Sequence, residues 1–300
     1  MNFFKKHIIL TLLLVLFSGY VYWNYTRIVP TNPLIDTSHP HYINSLYMSN
    51  DFIYDTLSEN SKKAYDYLLG KMLSYESFFD IPFEEFSCTD YSECFSYFNT
   101  AFSAIQVEHP ELMNLSNYSI KHEQENDYVS AHVYYAQSFP LLVDLGELRI
   151  QRILADMRED TKDMTDEEKI KYVYDWIGQN TSYDTVFTST SKNQSIYNVF
   201  INKNAVCAGF AKACTVIFQN IGIEAYAVTG YSTGPHMWNI IGYQDHYYYF
   251  DATVAASIQD SSYDQYYDGL RQEYMNFYTV DYPEWYPEVE KTNMFVDIQF

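Results

Sequence analysis

Cys207, His236 and Asp251 are the residues of this chain whose types and order could carry covalent chemistry. A cysteine thiolate attacks a carbonyl carbon, an imidazole takes or shares the thiol proton, and a carboxylate fixes the tautomer and orientation of the imidazole. The chemistry is acyl transfer: an amide or peptide carbonyl is attacked, a thioester forms, and water or an amine resolves it. Taken singly, each residue also has an ordinary structural reading. The cysteine could be a buried helical thiol, the histidine a solvent-facing side chain, the aspartate a strand end. What joins them is the set of elements that must position them.

The cysteine opens the stretch NAVCAGFAKAC, residues 204–214. After it, Phe210, Ala211, Cys214, Ile217, Phe218 and Ile221 keep a helical period, and Gly222 supplies a C-terminal stop. Asn204 reads as the N-cap, which puts Cys207 in the first turn, where the helix dipole and free N–H groups favour the thiolate. Ala208 and Gly209 are small enough to let a carbonyl approach the sulfur. Residues 223–230 read as a strand, YSTGP as a turn, and HMWNIIGY, QDH and YYYFDATV as a β-hairpin. With Gln244 and Asp245 in the turn, Tyr243 pairs with His246 and Asp251 falls opposite Trp238. His236 is then the diagonal neighbour of Asp251 on the same face. A two-residue slip keeps them together and a one-residue slip parts them. That face is expected to look onto the helix that carries the thiol. An oxyanion hole would use the backbone N–H of Cys207 and a second donor, for which Gln194, Tyr197 and Trp238 are candidates. Trp238, opposite Asp251, could also shield the His–Asp contact from water and strengthen it.

The stretches AVCAGFAKACTVIFQNIGIEAYAVTG, HMWNI and YYYFDAT resemble the transglutaminase-like superfamily, whose fold is similar to that of papain-like cysteine proteases. The shared motifs are a Cys-x-Gly-aromatic-Ala helix start, a His-x-Trp-Asn strand and a Tyr-x-x-Asp-x-Thr strand. The resemblance implies Cys207 as nucleophile, His236 as base and Asp251 as its orienter. YDWIGQNTSYD is similar to the helix that the family places before its cysteine, and QSIYNVFINKNAVC to its approach loop. The match runs over about residues 165–255. One position departs: the family often has Trp after Asp-x-Thr, and this chain has Val254. The implied fold is α+β, a papain-like/transglutaminase-like core with the cysteine helix packed on an antiparallel sheet, preceded by a smaller α+β unit. The implied activity is thiol-dependent acyl transfer, either hydrolytic (protease or amidase) or cross-linking (transglutaminase). The contrasting reading is an inactive domain of this fold that serves as a cell-surface binding module. No cofactor or metal is implied. Zinc on Cys207 and His236, or on the HPH of residues 39–41, lacks a paired ligand motif, and there is no EF-hand type loop.

Around this core the chain divides into 1–27, 28–50, 51–145 and 146–300. Lys5 and Lys6 precede an apolar run from Ile8 to Trp23, a secretory signal or an uncleaved anchor, with Tyr20, Tyr22, Trp23 and Tyr25 suited to the outer interface. Either way, the remainder is expected outside the cytoplasm. Residues 28–50 read as a linker. From 51, an accessory α+β unit is expected, similar to accessory regions of exported bacterial members of the superfamily. It has an amphipathic helix over 61–75, further helical spacing at Phe95, Phe98, Phe102 and Ile105, a break at HPEL, and two strands around a polar turn in YSIKHEQENDYVSAHVYYAQ. The second unit opens with a helix over 144–160. Another follows, with Thr165 and Glu168 as a capping box and Ile170, Val173, Tyr174 and Ile177 facing inward. Cys88 and Cys94 could bridge a short loop. Cys207 and Cys214 would stand about 10 Å apart along one helix, too far for a disulfide, which leaves Cys207 a free thiol. A net charge of −21 keeps the chain soluble and argues against nucleic acid or anionic lipid as a partner. The 32 Tyr and 20 Phe point to broad half-buried surfaces. The expected partner is a protein or peptide substrate, with membrane attachment through the N-terminal segment. The last 45 or so residues carry no motif.

Overall fold

Side-chain caps fix three of the helix starts in this structure, a computed structural model that describes residues 52–110, 112–121, 127–186, 192–263 and 265–294. The expected signal or anchor segment and the linker lie outside the described residues. After a short helix α1 (Phe52–Thr56), Ser58 caps α2 (Glu59–Leu73) by accepting the Ser61 N–H, and Asp90 caps α3 (Tyr91–Glu108) by accepting the Glu93 N–H. Strands β1 (Phe78–Pro82), β2 (Leu115–Lys121) and β3 (Tyr128–Tyr135) form an antiparallel sheet in the order β1-β3-β2. The Cys88–Cys94 disulfide joins the loop before α3 to its first turn. It also corrects the inward face of that helix: Cys94 takes the buried position with Phe98, Phe102 and Ile105, and Phe95, one residue further round, is 42% exposed.

Helix α4 (Pro140–Thr161) starts four residues earlier than its periodicity suggests, because Pro140 is preorganised for the first helical turn. In α5 (Asp166–Asn180) the capping box is complete, with Thr165 accepting from Glu168 N–H and Glu168 from Thr165 N–H. Ile170, Val173, Tyr174 and Ile177 are fully buried. Strand β4 (Ser182–Tyr183) lies parallel to β5 (Asn204–Ala205), and a π-helical turn, Asn198–Asn202, precedes β5. The cysteine helix α6 (Cys207–Asn220) is buried nearly all round, so it is a central helix rather than an amphipathic one. Even Lys212 is inside, its ammonium donating to the Leu115 carbonyl at 3.3 Å. Burial pulls that ammonium down to about 7, against the attraction of the Cys207 charge. Gly222, with φ +86°, follows the end of α6 in the left-handed conformation that glycine allows.

Strands β6 (Ala225–Tyr231), β7 (Pro235–Tyr243), β8 (His246–Phe250) and β9 (Thr279–Val280) make an antiparallel sheet in the order β8-β7-β6-β9, and α6 packs on β6 and β7. Gln244 and Asp245 have φ of 50° and 64°, which marks a type I′ turn. The ladder runs from Tyr243↔His246 to Asn239↔Phe250 in the register read from sequence. A short helix α7 (Thr253–Ile258) follows β8, and α8 (Gln272–Met275) leads into β9. Among the described residues no helix is long and apolar enough to cross a membrane. The fold is α+β, with the cysteine helix laid on an antiparallel sheet. Ala208 and Ala211 of that helix are shared with the apolar cluster of the N-terminal unit.

Candidate active site

Cys207 is the first residue of α6, and Val206 is the N-cap. The expected cap, Asn204, instead belongs to β5, where its amide donates to the Ser182 carbonyl and hydroxyl. The short parallel ladder takes Asn204 because Ser182 offers it partners before the helix starts. No side-chain oxygen caps α6, and the Gly209 N–H turns back to the Val206 carbonyl at 2.9 Å, so the positive end of the helix at Cys207 favours an anion there. Val206 N–H donates to the Asn193 carbonyl at 3.1 Å, which presses residues 193–195 against the helix start. A Cβ on Gly209 would lie 3.0 Å from Ala205 Cβ and 3.2 Å from the Ser195 carbonyl. That close approach is the physical reason for glycine two residues after the cysteine.

His236 sits at the start of β7, beyond the point where β8 has ended. Its Nε2 donates to Asp251 Oδ2 at 2.8 Å, which leaves Nδ1 as the atom for the sulfur. Strand parity corrects one expectation. The helix-facing residue of β7 is Asn239, whose amide donates to the Ala211 carbonyl and Thr215 hydroxyl of α6, each at 2.9 Å. His236, Trp238 and Ile240 therefore share the opposite face, and Trp238 and Ile240 lie in a cluster with Tyr278 and Val280. The imidazole meets Cys207 at the N-terminal end of α6 rather than under its body. Burial alone would lower the pKa of His236. The Asp251 charge and hydrogen bond, with hydrogen bonding to Cys207, instead push it up to about 10. These partners favour the imidazolium form of the ring.

Asp251 is 2% exposed and stands at the corner between β8 and α7, so Asp-x-Thr is a strand-to-helix junction and not a strand. Its Oδ2 accepts from His236 and from the Tyr278 hydroxyl, each at 2.8 Å, and its Oδ1 accepts from Thr253 N–H at 2.9 Å. Burial pulls its pKa upward, but the His236 charge and hydrogen bond, with the Tyr278 hydroxyl, outweigh it and hold the carboxyl below its ordinary value. Val254 lies in the first turn of α7, its N–H donating to the Asp251 carbonyl at 3.4 Å.

The other candidates divide. Trp238 is buried, its ring 5.9 Å from that of His236 and within 20° of parallel. Its indole N–H has no partner among the described residues. Gln194 borders the start of α6, its backbone N–H donating to Ser116 Oγ at 3.0 Å. Tyr197 is turned away into the core, its hydroxyl donating to the Leu142 carbonyl at 3.0 Å. The spacing before the cysteine could not show this, because it is tertiary packing on α4 that claims the ring. Among the described residues, no three His, Cys, Asp or Glu side chains gather where a metal ion would sit.

Sequence reasoning missed Tyr278, which lies in the segment without motifs. Its ring packs edge-on against Trp238 at 4.9 Å and His236 at 5.7 Å. Removing its hydroxyl leaves a buried carboxylate with one donor fewer. Tyr278→Phe is expected to destabilise the protein by about 1.5–3 kcal/mol, the range for hydrogen bonds to charged groups. Urea unfolding checks this, and an unchanged midpoint would contradict it.

Comparison with known proteins bears on residues 152–252, which match the family model described as the transglutaminase-like superfamily. A Bacillus subtilis (strain 168) protein, YebA, itself uncharacterized, is 26% identical over 149 residues, which is 45% of this chain and 20% of that protein. The chain therefore spans about a fifth of the length of this curated relative. Among solved structures, a TGase crystal structure is similar over 46% of this chain and 44% of its own, at 16% identity and TM-score 0.34. A candidate cysteine protease from Cytophaga hutchinsonii is similar over 46% and 62%, at 13% identity and TM-score 0.31. Over residues 152–252 the chain carries a transglutaminase-like domain.

Proposed function

We propose that this protein is an extracytoplasmic acyl-transfer enzyme in which Cys207 attacks an amide or peptide carbonyl, with His236 and Asp251 completing a triad. The observation that carries the reading is the chain Cys207–His236–Asp251, half-buried at the sulfur and the imidazole and buried at the carboxylate, with the imidazole hydrogen-bonded at 2.8 Å to a carboxylate that holds two further donors. A protonated imidazole beside the sulfur favours the thiolate. Thiolate attack moves the carbonyl electrons onto oxygen, and His236 then gives its proton to the leaving amine. In the second half, His236 takes a proton from water or from an acceptor amine, which attacks the thioester and frees Cys207. Location outside the cytoplasm is supported by the Lys5–Trp23 pattern and by the Cys88–Cys94 disulfide, since disulfides persist in oxidising compartments. A net charge of −21 speaks for a peptide or protein substrate over nucleic acid.

The test is incubation of the protein with a fluorescent amine and with peptide substrates, followed by intact mass. Amine incorporation or cleavage that Cys207→Ala abolishes is the expected result. No turnover by either protein would contradict the reading.

The pH dependence follows from the raised affinity of His236 for its proton. A raised group keeps the proton below its folded value, so the ion pair is present at neutral pH and dissolves as pH climbs through about 10. At pH 6–7, where an unpaired thiol of pKa about 8.5 is mostly protonated, iodoacetamide should alkylate Cys207 about tenfold or more faster in wild type than in His236→Asn. The gap should close toward pH 10. Equal rates across this range would show that the imidazole does not act on the sulfur.

A further inference from the structure

The acyl-transfer reading needs a second donor for the oxygen that becomes negative in the tetrahedral intermediate, and Tyr183 is placed for it. Tyr183 lies on β4, paired in parallel with Ala205, two residues before Cys207. The Asp184 N–H donates to the Ala205 carbonyl at 2.8 Å and fixes that register. The Tyr183 ring stacks on Phe210, in the first turn of α6, at 6.3 Å and within 17° of parallel. The phenol is thus tied to the backbone just before the nucleophile and to a side chain just after it. Helix α7, which leaves Asp251, packs on the same short strand. Tyr183 is half-buried. Burial first, then the charges of Cys207 and Asp251, raise its hydroxyl above the ordinary phenol range. It therefore stays a protonated donor at neutral pH.

The other candidates are less well placed. The Tyr197 hydroxyl is held by Leu142, and Trp238 stacks on the imidazole at 1% exposure. We propose that Tyr183 is a catalytic residue, its hydroxyl joining the Cys207 N–H as the second oxyanion donor. In that step the Sγ–C bond forms and the C=O electron pair moves to oxygen. That oxygen accepts from the Tyr183 hydroxyl and the Cys207 N–H. The pair then returns, the C–N or C–O bond breaks, and the leaving group takes the His236 proton if it needs one. The inference rests on the triad proposed above and adds a residue to it.

The experiment compares two reactions of the same sulfur in the whole 300-residue chain. Acetylation by p-nitrophenyl acetate passes through an oxyanion, whereas alkylation by iodoacetamide is a displacement without one. Tyr183→Phe keeps the ring and its stack on Phe210. The expected result is acetylation slowed by about 10²-fold, with alkylation within about twofold of wild type. If both rates are unchanged, Tyr183 donates nothing to the intermediate. If both fall together, it acts on the thiolate or the fold, and the assignment is again overturned. Gln194→Ala is run beside it, and a split there but not in Tyr183→Phe gives the role to Gln194. A wild type that shows no acetylation lost in Cys207→Ala would sink the acyl-transfer reading itself, and the role of Tyr183 with it.

Discussion

Asp251→Asn is expected to slow acylation of Cys207 by about 10³–10⁴-fold, the scale seen when the carboxylate of a hydrolase triad becomes an amide. The side chain keeps its shape and volume, so the corner between β8 and α7 should survive. Its charge goes, and so does the acceptor that holds His236 Nε2–H and the Tyr278 hydroxyl at 2.8 Å. The amide would present either an oxygen or an N–H₂ to two donors, and one of them must be left without a partner in a buried site. The imidazole loses both its orientation and the charge that keeps it protonated. Burst kinetics with p-nitrophenyl acetate measure the loss, and circular dichroism checks the fold. A fall of less than about tenfold would mean that Asp251 is structural.

The second large effect is on stability. A Cβ on Gly269 would lie 2.0 Å from the Asp251 carbonyl oxygen and 2.8 Å from the Tyr174 hydroxyl. Both neighbours are held fast. The Gly269 carbonyl accepts the Asp251 N–H at 2.8 Å, and the Tyr174 hydroxyl donates to the Tyr266 carbonyl at 2.5 Å. Neither can move without breaking a buried hydrogen bond, so Gly269→Ala should cost about 3 kcal/mol or more. For a chain of 300 residues that is a fall of roughly 5 °C or more in Tm. Gly70→Ala is the matched control. It sits in α2 with nothing within 4 Å of the added carbon, and alanine there should stabilise by about 0.5–1 kcal/mol. Similar Tm values for the two variants would refute the packing argument.

These effects also show where sequence reasoning reached and where it stopped. The hairpin was legible because its register depends on two turn residues, Gln244 and Asp245, and on a strand period of two. The capping box at Thr165 was legible because it is a local hydrogen-bond exchange. The transglutaminase-like domain was legible from short motifs around one cysteine, one histidine and one aspartate. The parity of β7 against α6 was not, since it depends on which face the C-terminal segment covers. Nor was the inward turn of Tyr197, or the burial of Lys212 against a carbonyl of the N-terminal unit. Tyr278 and Gly269 support Asp251 across 27 and 18 residues of chain with no periodicity of their own. Only their contacts in the folded protein give them a role. Tyr183 was visible as part of NTSYD, but its partnership with the cysteine comes from a two-residue parallel ladder too short to announce itself.

The N-terminal unit is also joined to the site. The Leu115 carbonyl accepts from Lys212, Ser116 Oγ accepts the Gln194 N–H, and the Met113 carbonyl accepts the Tyr197 N–H. These three attachments, one at Met113 just before β2 and two at its first residues, Leu115 and Ser116, brace both the cysteine helix and the loop before it. The sulfur, the imidazole and the carboxylate come from three separate elements, and the imidazole–carboxylate ion pair stabilises the arrangement. For His236 that contribution is complete below its ordinary value near 6.5 and disappears as pH rises through about 10.

The most direct test of the site is therefore the protonation of one ring. A ¹⁵N-labelled His236 imidazole, followed by NMR from pH 5 to 11 in wild type and assigned with His236→Asn, should remain an imidazolium through neutral pH and titrate near 10. A ring that gives up its proton between pH 6 and 7, as an unpaired histidine does, would contradict the ion pair and the triad built on it.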